Sequence, residues 1–392
     1  MRRRKRFKTK SETRFALAAC EALEIRRMLS TVYVDHFARG PTHDGTSWAT
    51  AFTDLQPVVQ AAVSGTTIEV AEGKYYPTIG TDRTATFQLN SGVEIDGGFA
   101  GAANPTAARN VAAYPTILSG DVGTPADNSD NSYHVVTGSG TDGSAIMDGF
   151  TITGGNAESL LSSQTVFGRG FIISSGSPTI RNCAIGANTA YDGGDVYDYQ
   201  SSPEFTNCMI SGDSAVSDGG GIANFSGSSP VIVNCSFTGN FGASFGGGVA
   251  DEDNSSPAIS NCSFIGDRAG SAGGGVYNAN SSNPTIIGCV FANDSAGGGA
   301  GGGVLSTFCG TSGSDGKQDI SDCIFINDSA MYGGGVYSIQ STLEITNCSF
   351  FGNSASISGG RLRIITFRFQ CRTAFCGEIM LRKWGTRSTA TS

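Results

Sequence analysis

The sequence predicts an all-β fold: a single-stranded, right-handed parallel β-helix (a solenoid) of about 25–27 residues per coil, closed at its front by a capping helix. Three observations carry this prediction. Asn-Cys or its equivalent returns at Cys183, Cys208, Cys235, Cys262, Cys289, Cys323 and Cys348, in steps of 25, 27, 27, 27, 34 and 25 residues. An aliphatic residue after a Gly pair keeps the same beat at Val196, Ile222, Val249, Val276, Val304 and Val336. The composition agrees, since 56 glycines with 15% charged and 9% aromatic residues suit short strands and tight turns better than helices.

Each unit reads as three short strands, "GGGVYN", "SPAISN" and "CSFIGD", with alternating apolar residues and turn residues between them. One unit cannot bury its own apolar face, so units stack, each strand pairing in parallel with its equivalent about 4.8 Å along the axis. Parallel crossovers favour the right hand. Stacking turns Ile259, Cys262 and Phe264 inward, so the seven cysteines form an internal ladder of small apolar groups. Their spacing is near the upper end of disulfide geometry and their number is odd, so free thiols are expected. Zinc is disfavoured, because His36, His43 and His134 all precede the repeats. The residues before each cysteine (Asn182, Asn207, Asn234, Asn261, Gly288, Asp322, Asn347) read as a second ladder that holds a turn. The Gly pairs permit positive φ and do not cradle phosphate, since no helix follows them and no Lys-Ser/Thr closes the motif.

Four regions follow along the chain. Residues 1–30 form a basic leader in which "LAAC" (Leu17–Cys20) matches a lipoprotein cleavage box. The apolar run before Cys20 is shorter than the roughly 7–15 residues of an export signal core. Residues 31–150 hold the front cap and irregular coils. There Leu55, Val58, Val59 and Ala62 fall at helical spacing, with Thr53 and Gln56 as a capping box and Gly65 as the stop. Residues 151–360 are the regular repeats, and residues 361–392 are a basic tail in which the repeat vanishes. From Arg363 onward a permitted codon choice read one base out of register spells "NNNFSLSVSNCILWGNNAPEVGNEI", which restores the repeat, so the tail reads as a frame change.

The charge is equally divided by region. Residues 1–30 hold ten basic and three acidic residues, residues 31–360 eight and thirty, and residues 361–392 seven and one. An acidic body repels nucleic acid and anionic lipid and attracts cations. No apolar run reaches the roughly 18 residues of a membrane-spanning helix, so none is expected.

The Gly-Gly-aliphatic motif at Gly246–Val249 and Gly273–Val276, paired with F-x-x-N at Phe237–Asn240 and Phe350–Asn353, resembles the repeats of bacterial polymorphic outer membrane proteins. Other copies carry Ile for Phe or Asp for Asn. "VYVDHFARGPTHDGTSWATAF" resembles the start of secreted right-handed β-helix proteins, and "CEALEIRRMLS" is similar to the "LEPR-x-LL" leader of large secreted planctomycete repeat proteins. The resemblance implies export, an extracellular or outer-membrane-associated place at the cell surface, and an adhesive or envelope role with no required cofactor. An extracellular glycan or protein is the implied partner.

The rival reading is a carbohydrate-active enzyme, since pectate-lyase-like folds share this architecture and fold does not decide function. A lyase on acidic polysaccharide needs Ca²⁺ and a nearby base. The repeats supply Arg169, Arg181, Arg268 and Lys317, of which Arg181 and Arg268 are the candidates. The best carboxylate clusters are "DGGDVYD" (Asp192, Asp195, Asp198) and "DEDN" (Asp251, Glu252, Asp253), both read as turns. The column three beyond the inward Phe or Ile reads Asn188, Asp213, Asn240, Asp267, Asp294, Asp328 and Asn353. In it Asp267, Asp294 and Asp328 would stand within roughly 5 to 10 Å of one another, where like charges repel unless a cation or proton intervenes. Ca²⁺ is the expected visitor, the alternative being side chains splayed into water. "DHFARGPTHDG", with Asp35, His36, His43 and Asp44, also has the composition of a metal cluster. The variable turns "DYQSS", "NFSGSS", "DEDNSS" and "NANSSN" would line one ridge and carry any recognition.

Overall fold

The computed structural model describes residues 30–157, 168–310 and 318–360, and the backbone of 362–365, 368–372 and 379–381. The leader with Cys20, and Lys317, lie outside the described residues. Every strand pair joins neighbouring coils in parallel, and the strands align into four faces. A regular coil runs Ala258–Ser260 on face 1, Ser263–Ile265 on face 2, Arg268–Ala269 on face 3 and Val276–Ala279 on face 4, then returns to face 1 at Thr285–Ile287. The chain is a parallel β-helix of four strands per coil where the sequence predicts three. The extra strand is two residues long in most coils, too short to carry a period of its own.

Inside the coil each column repeats one kind of side chain. Ile259, Cys262 and Phe264 are buried as expected, with their counterparts above and below. Phe237, Phe264, Phe291, Phe325 and Phe350 stack with ring centroids 4.6–4.8 Å apart and planes within 6° of parallel. The stack fixes the rise per coil and adds ring-to-ring attraction to the burial of each Phe. The eight described repeat-region cysteines are buried free thiols. In the seven-cysteine column the amide of one donates to the sulfur of the next, as from Cys235 to Cys262 Sγ at 3.4 Å.

The residues before the cysteines all have positive φ, from 52° to 65°. Asn and Asp322 tolerate this left-handed turn and Gly288 meets it without a side chain, which explains both exceptions in the column. An amide bond along this column joins Asn207 Nδ2 to Asn182 Oδ1 at 3.3 Å.

The Gly run has two separate jobs. Gly246 and its equivalents turn the chain at φ near +60° so that the segment entering face 4 folds back over that face. The third glycine makes room for the Phe column in the interior. The folded-back segment creates a second, outer apolar cluster of Ala250, Ala272, Tyr277, Ala279, Ala300 and Leu305, with Phe245, Tyr332 and Tyr337 packed against it.

At the front, helix α1 (Leu55–Ala61) packs Leu55, Val58 and Val59 against the main core, with Ala62 half-buried beside it. Full burial of each such side chain contributes about 1.5–3 kcal/mol. Its N-cap is Asp54, whose carboxylate accepts from Gln56 N at 3.1 Å, one residue later than the expected Thr53 box. Gln56 instead ties the helix to the coil below through Thr86 O at 3.0 Å. At the rear, Leu362–Ile365 and Arg368–Arg372 pair in parallel with Val336–Ile339 and Thr342–Thr346. The first part of the basic tail therefore adds strands to faces 4 and 1.

Candidate functional site

The carboxylates at the corner just before face 3 are interior groups. Asp267, Asp294 and Asp328 are fully buried, and the Oδ1 of each accepts from the backbone amide of the equivalent residue one coil earlier. The distances are 2.8 Å from Asn240 N to Asp267, 2.8 Å from Asp267 N to Asp294 and 3.0 Å from Asp294 N to Asp328. The same bond runs along the column from Gly155 to Asn353. Asn and Asp alternate freely in the sequence because only one acceptor oxygen is used. The expected Ca²⁺ position is not assembled, because the side chains stand one per coil and do not converge. Among the described residues no group of three or more His, Cys, Asp or Glu is placed to hold an ion. Nor do these carboxylates splay into water. Desolvation pushes Asp267 up to about 8 and Asp328 up to about 7, so burial is met by a proton.

"DGGDVYD" and "DEDN" are not simple surface turns either. Asp195, Asp198 and Asp251 are fully buried. Asp195 accepts from Asn188 Nδ2 at 2.6 Å, and desolvation raises it to about 7. Face 4 register sets Asp198, Asn224, Asp251, Asn278, Ser306 and Ser338 in consecutive coils. Asn224 Nδ2 donates to Asp251 Oδ1 at 2.7 Å, while Asn224 Oδ1, Asn278 Oδ1, Asp251 Oδ2 and both Asp198 oxygens are buried acceptors without a donor. A proton on Asp198 and one on Asp251 would supply Asn224 and Asn278 with the missing donors. Burial raises both acids accordingly, Asp251 to about 8.

The candidate lyase residues are not brought together. Arg181 lies on face 1, where its Nε meets Asp148 Oδ2 and its Nη2 meets Glu94 Oε1, each at 2.5 Å. Arg109 closes the same network on Asp148 Oδ1 at 2.8 Å, and Asn182 Nδ2 adds a bond at 2.9 Å. The guanidinium is thereby held as a cation by a buried carboxylate. Arg268 sits exposed on face 3, beside Phe241 in register. Arg169 is buried. The front loop is equally dispersed: Asp35 caps Phe37 N and Ala102 N, His43 Nδ1 contacts Ala51 O at 2.8 Å, and Asp44 binds Thr46. These partners hold the loop over the first coil and leave no common point for a metal.

What remains outward on face 4 is an aromatic and acidic ridge. Half of the expected ridge residues turn inward, including Asp198, Asn224, Asp251 and Asn278. Tyr197, Tyr199, Phe225 and Glu252 keep access to solvent, as do Phe245 and Asp218 from the folded-back segment, whereas Tyr277 and Asp192 are buried beneath it. Phe245 stacks on Tyr277 at 4.4 Å and 10°, and Tyr197 lies 5.5 Å from Phe225. Asp192 Oδ1 accepts from Asp218 N at 3.1 Å, and Asp218 Oδ1 accepts from Phe245 N at 3.0 Å. Desolvation first, then the neighbouring Asp218, Asp253 and Asp192, push Glu252 up to about 7. Desolvation likewise lifts Asp192 to about 6. The ridge thus offers flat ring faces beside carboxyl groups, a combination suited to hydroxyl-rich ligands. Sequence reading missed it because Phe245 and Tyr277 lie in different coils and meet only through the fold-back.

The described architecture has known counterparts. A family model described as right handed beta helix region matches residues 166–311. The chain carries a right-handed parallel β-helix. Two solved structures are similar in outline. Pectate lyase Pel9A is 14% identical, with a TM-score of 0.42 over 81% of this chain and 78% of that one. An alginate lyase from Paenibacillus sp. str. FPU-7 is 13% identical, with a TM-score of 0.38 over 91% and 98%. No curated protein matches the chain. Among the described residues no helix is long and apolar enough to cross a membrane.

Proposed function

We propose that the protein is a non-catalytic β-helix scaffold, exported and displayed at the cell surface, with an adhesive or envelope-structural role. The observation that carries this reading is the face 4 ridge. Its accessible rings, Tyr197, Tyr199 and Phe225, and the carboxyl group of Glu252 supply stacking surface and hydrogen-bonding groups. The ligand class favoured is a neutral extracellular glycan, because rings stack on sugar faces while thirty acidic residues against eight basic ones in residues 31–360 repel polyuronates. The resemblance of the repeats to those of polymorphic outer membrane proteins, and of "CEALEIRRMLS" to a planctomycete leader, supports export and surface display.

The second reading, an enzyme acting on acidic polysaccharide, is favoured only by the shared architecture and by Arg181 among carboxylates on face 1. Both readings meet one experiment. The purified chain is incubated with pectin, alginate and neutral glucans in millimolar Ca²⁺, while bound glycan and unsaturated uronate absorbance are followed. Retention on neutral glycan without uronate product is expected. Uronate product that disappears in Arg181→Ala would overturn the scaffold reading in favour of the lyase.

A further inference from the structure

We propose that the cysteine column is a binding site for soft monovalent metal ions of the Cu(I) class, each held linearly between the sulfurs of two neighbouring coils. The dimensions carry the inference. Cys183, Cys208, Cys235, Cys262, Cys289, Cys323 and Cys348 occupy one position in seven successive coils, flanked by strands in unbroken register. Their side chains repeat with the coil rise, which the Phe column sets at 4.6–4.8 Å. A zinc–thiolate bond is about 2.3 Å, and with that length as the scale two sulfurs bound linearly to one soft ion stand about 4.6 Å apart. Equivalent positions in neighbouring coils therefore repeat at about the separation that a linearly bound ion requires.

The surroundings select the ion. The column lies among Ile and Phe side chains, with only backbone carbonyl oxygens beside each sulfur, as Phe205 O and Val233 O beside Cys235 Sγ at 3.5 and 3.4 Å, too few to replace the shell of a hard cation. Thiol sulfur favours soft ions. A straight row presents two sulfurs at a time and never three around one point, which excludes the tetrahedral site that zinc prefers. Backbone amides aim at the sulfurs of Cys235, Cys262, Cys289, Cys323 and Cys348, each at 3.4 Å, which favours the thiolate, while the carbonyl oxygens that accept from these sulfurs hold the proton until an ion displaces it.

The charge balances if each ion takes one thiolate and one thiol. One S–H bond then breaks per ion, its proton leaves to water, two metal–sulfur bonds form, and no net charge is buried. A sulfur carrying two ions would have to bond both in a straight line, which its geometry opposes. Ions therefore occupy disjoint neighbouring pairs, three for a row of seven thiols.

This pairing makes the test a matter of parity. The reduced full chain, with Cys20, Cys309, Cys371 and Cys376 replaced by alanine, is titrated anaerobically with Cu(I) against a colorimetric Cu(I) chelator. Uptake, proton release and the ultraviolet sulfur-to-metal band are read. Three ions are expected, each with one proton, together with a raised Tm. Cys183→Ala leaves a row of six and keeps three ions, whereas Cys208→Ala leaves a row of five beside an isolated thiol and keeps two. Should Cys208→Ala fail to fold, Cys348→Ala and Cys323→Ala give the same contrast from the other end. The proposal is overturned by absent uptake in the folded chain, by a band that appears only in urea, or by equal loss wherever the thiol is removed.

Discussion

Gly248 lies directly against the ring of Phe264: a β-carbon at Gly248 would stand 2.7 Å from Phe264 Cδ1 and 2.8 Å from Gly275 O. The same contact joins Gly275 to Phe291 and Gly303 to Phe325. Repeat spelling thus couples two distant letters, because each Phe ring of the column occupies space that the glycine leaves. Gly248→Ala should destabilise the coil by about 1–3 kcal/mol through overpacking. Gly297, whose φ likewise lies outside the left-handed region and whose β-carbon would meet nothing nearer than 3.5 Å, is the control for lost backbone freedom alone. Urea midpoints that move equally in the two variants would refute the coupling.

The buried acids make stability fall as pH rises. Asp251 and Asp267 sit near 8 in the folded chain, whereas an unfolded Asp titrates near its ordinary value of 3.8. The folded state therefore keeps protons that the unfolded state has released. Their stabilising contribution is complete below about pH 4 and is lost progressively as pH climbs through about 8. Thermal scans should give a Tm several degrees higher at pH 5 than at pH 8.5, and Asp251→Asn should flatten that slope. A Tm that rises with pH over this interval would show that these carboxyls are ionised and paired.

Asp148 depends on Arg181 and Arg109 for its charge. Its side chain is 5% exposed while that of Arg181 is 38% exposed, so solvent screens the arginine but hardly the carboxylate. Arg181→Ala should cost about 1–2 kcal/mol after that screening is allowed for. Arg268→Ala on face 3 should change stability by less than about 0.5 kcal/mol. Equal effects in chemical denaturation would mean that the face 1 network is not a structural clamp.

Removing the rings should weaken glycan capture without unfolding the helix. Tyr199→Ala and Phe225→Ala each remove an accessible ring and should lower retention on neutral glycan about tenfold or more. Phe241→Ala, on exposed face 3, should leave it unchanged. Retention that survives loss of both rings would move recognition away from face 4.

The tail has its own test in the gene. A DNA read through the codon for Gly360 should reveal a changed frame that restores the repeat beyond it. An intact frame in independent clones would make Leu362–Ile365 and Arg368–Arg372 the native strands of faces 4 and 1.

How far the fold was legible depended on which residues have one common use. Cys262, Phe264 and Val276 are apolar and recur at fixed steps, so their inward columns could be read directly. Asp267 and Asp251 could not, because Asp ordinarily faces water and only three-dimensional stacking reveals the amide or acid beside it. Face 3 was hidden by its length, although the small pairs Thr189–Ala190, Ser214–Ala215 and Ser295–Ala296 after the Asn/Asp column were a usable sign. The fold-back that brings Phe245 onto Tyr277 left only its glycines in the sequence.

The coil that runs from Cys289 to Cys323 is longer than its neighbours by seven residues or more, yet Thr285–Ile287 still meets Asp319–Ser321 and Val290–Ala292 still meets Ile324–Ile326 in register. The extra length enters between Thr307 and Gln318, on the corner between faces 4 and 1. The solenoid therefore separates its ruler from its cargo: the columns count coils, while the corners accept foreign peptide without changing the count. A tag or binding loop grafted at that corner would be carried at a fixed height along the rod.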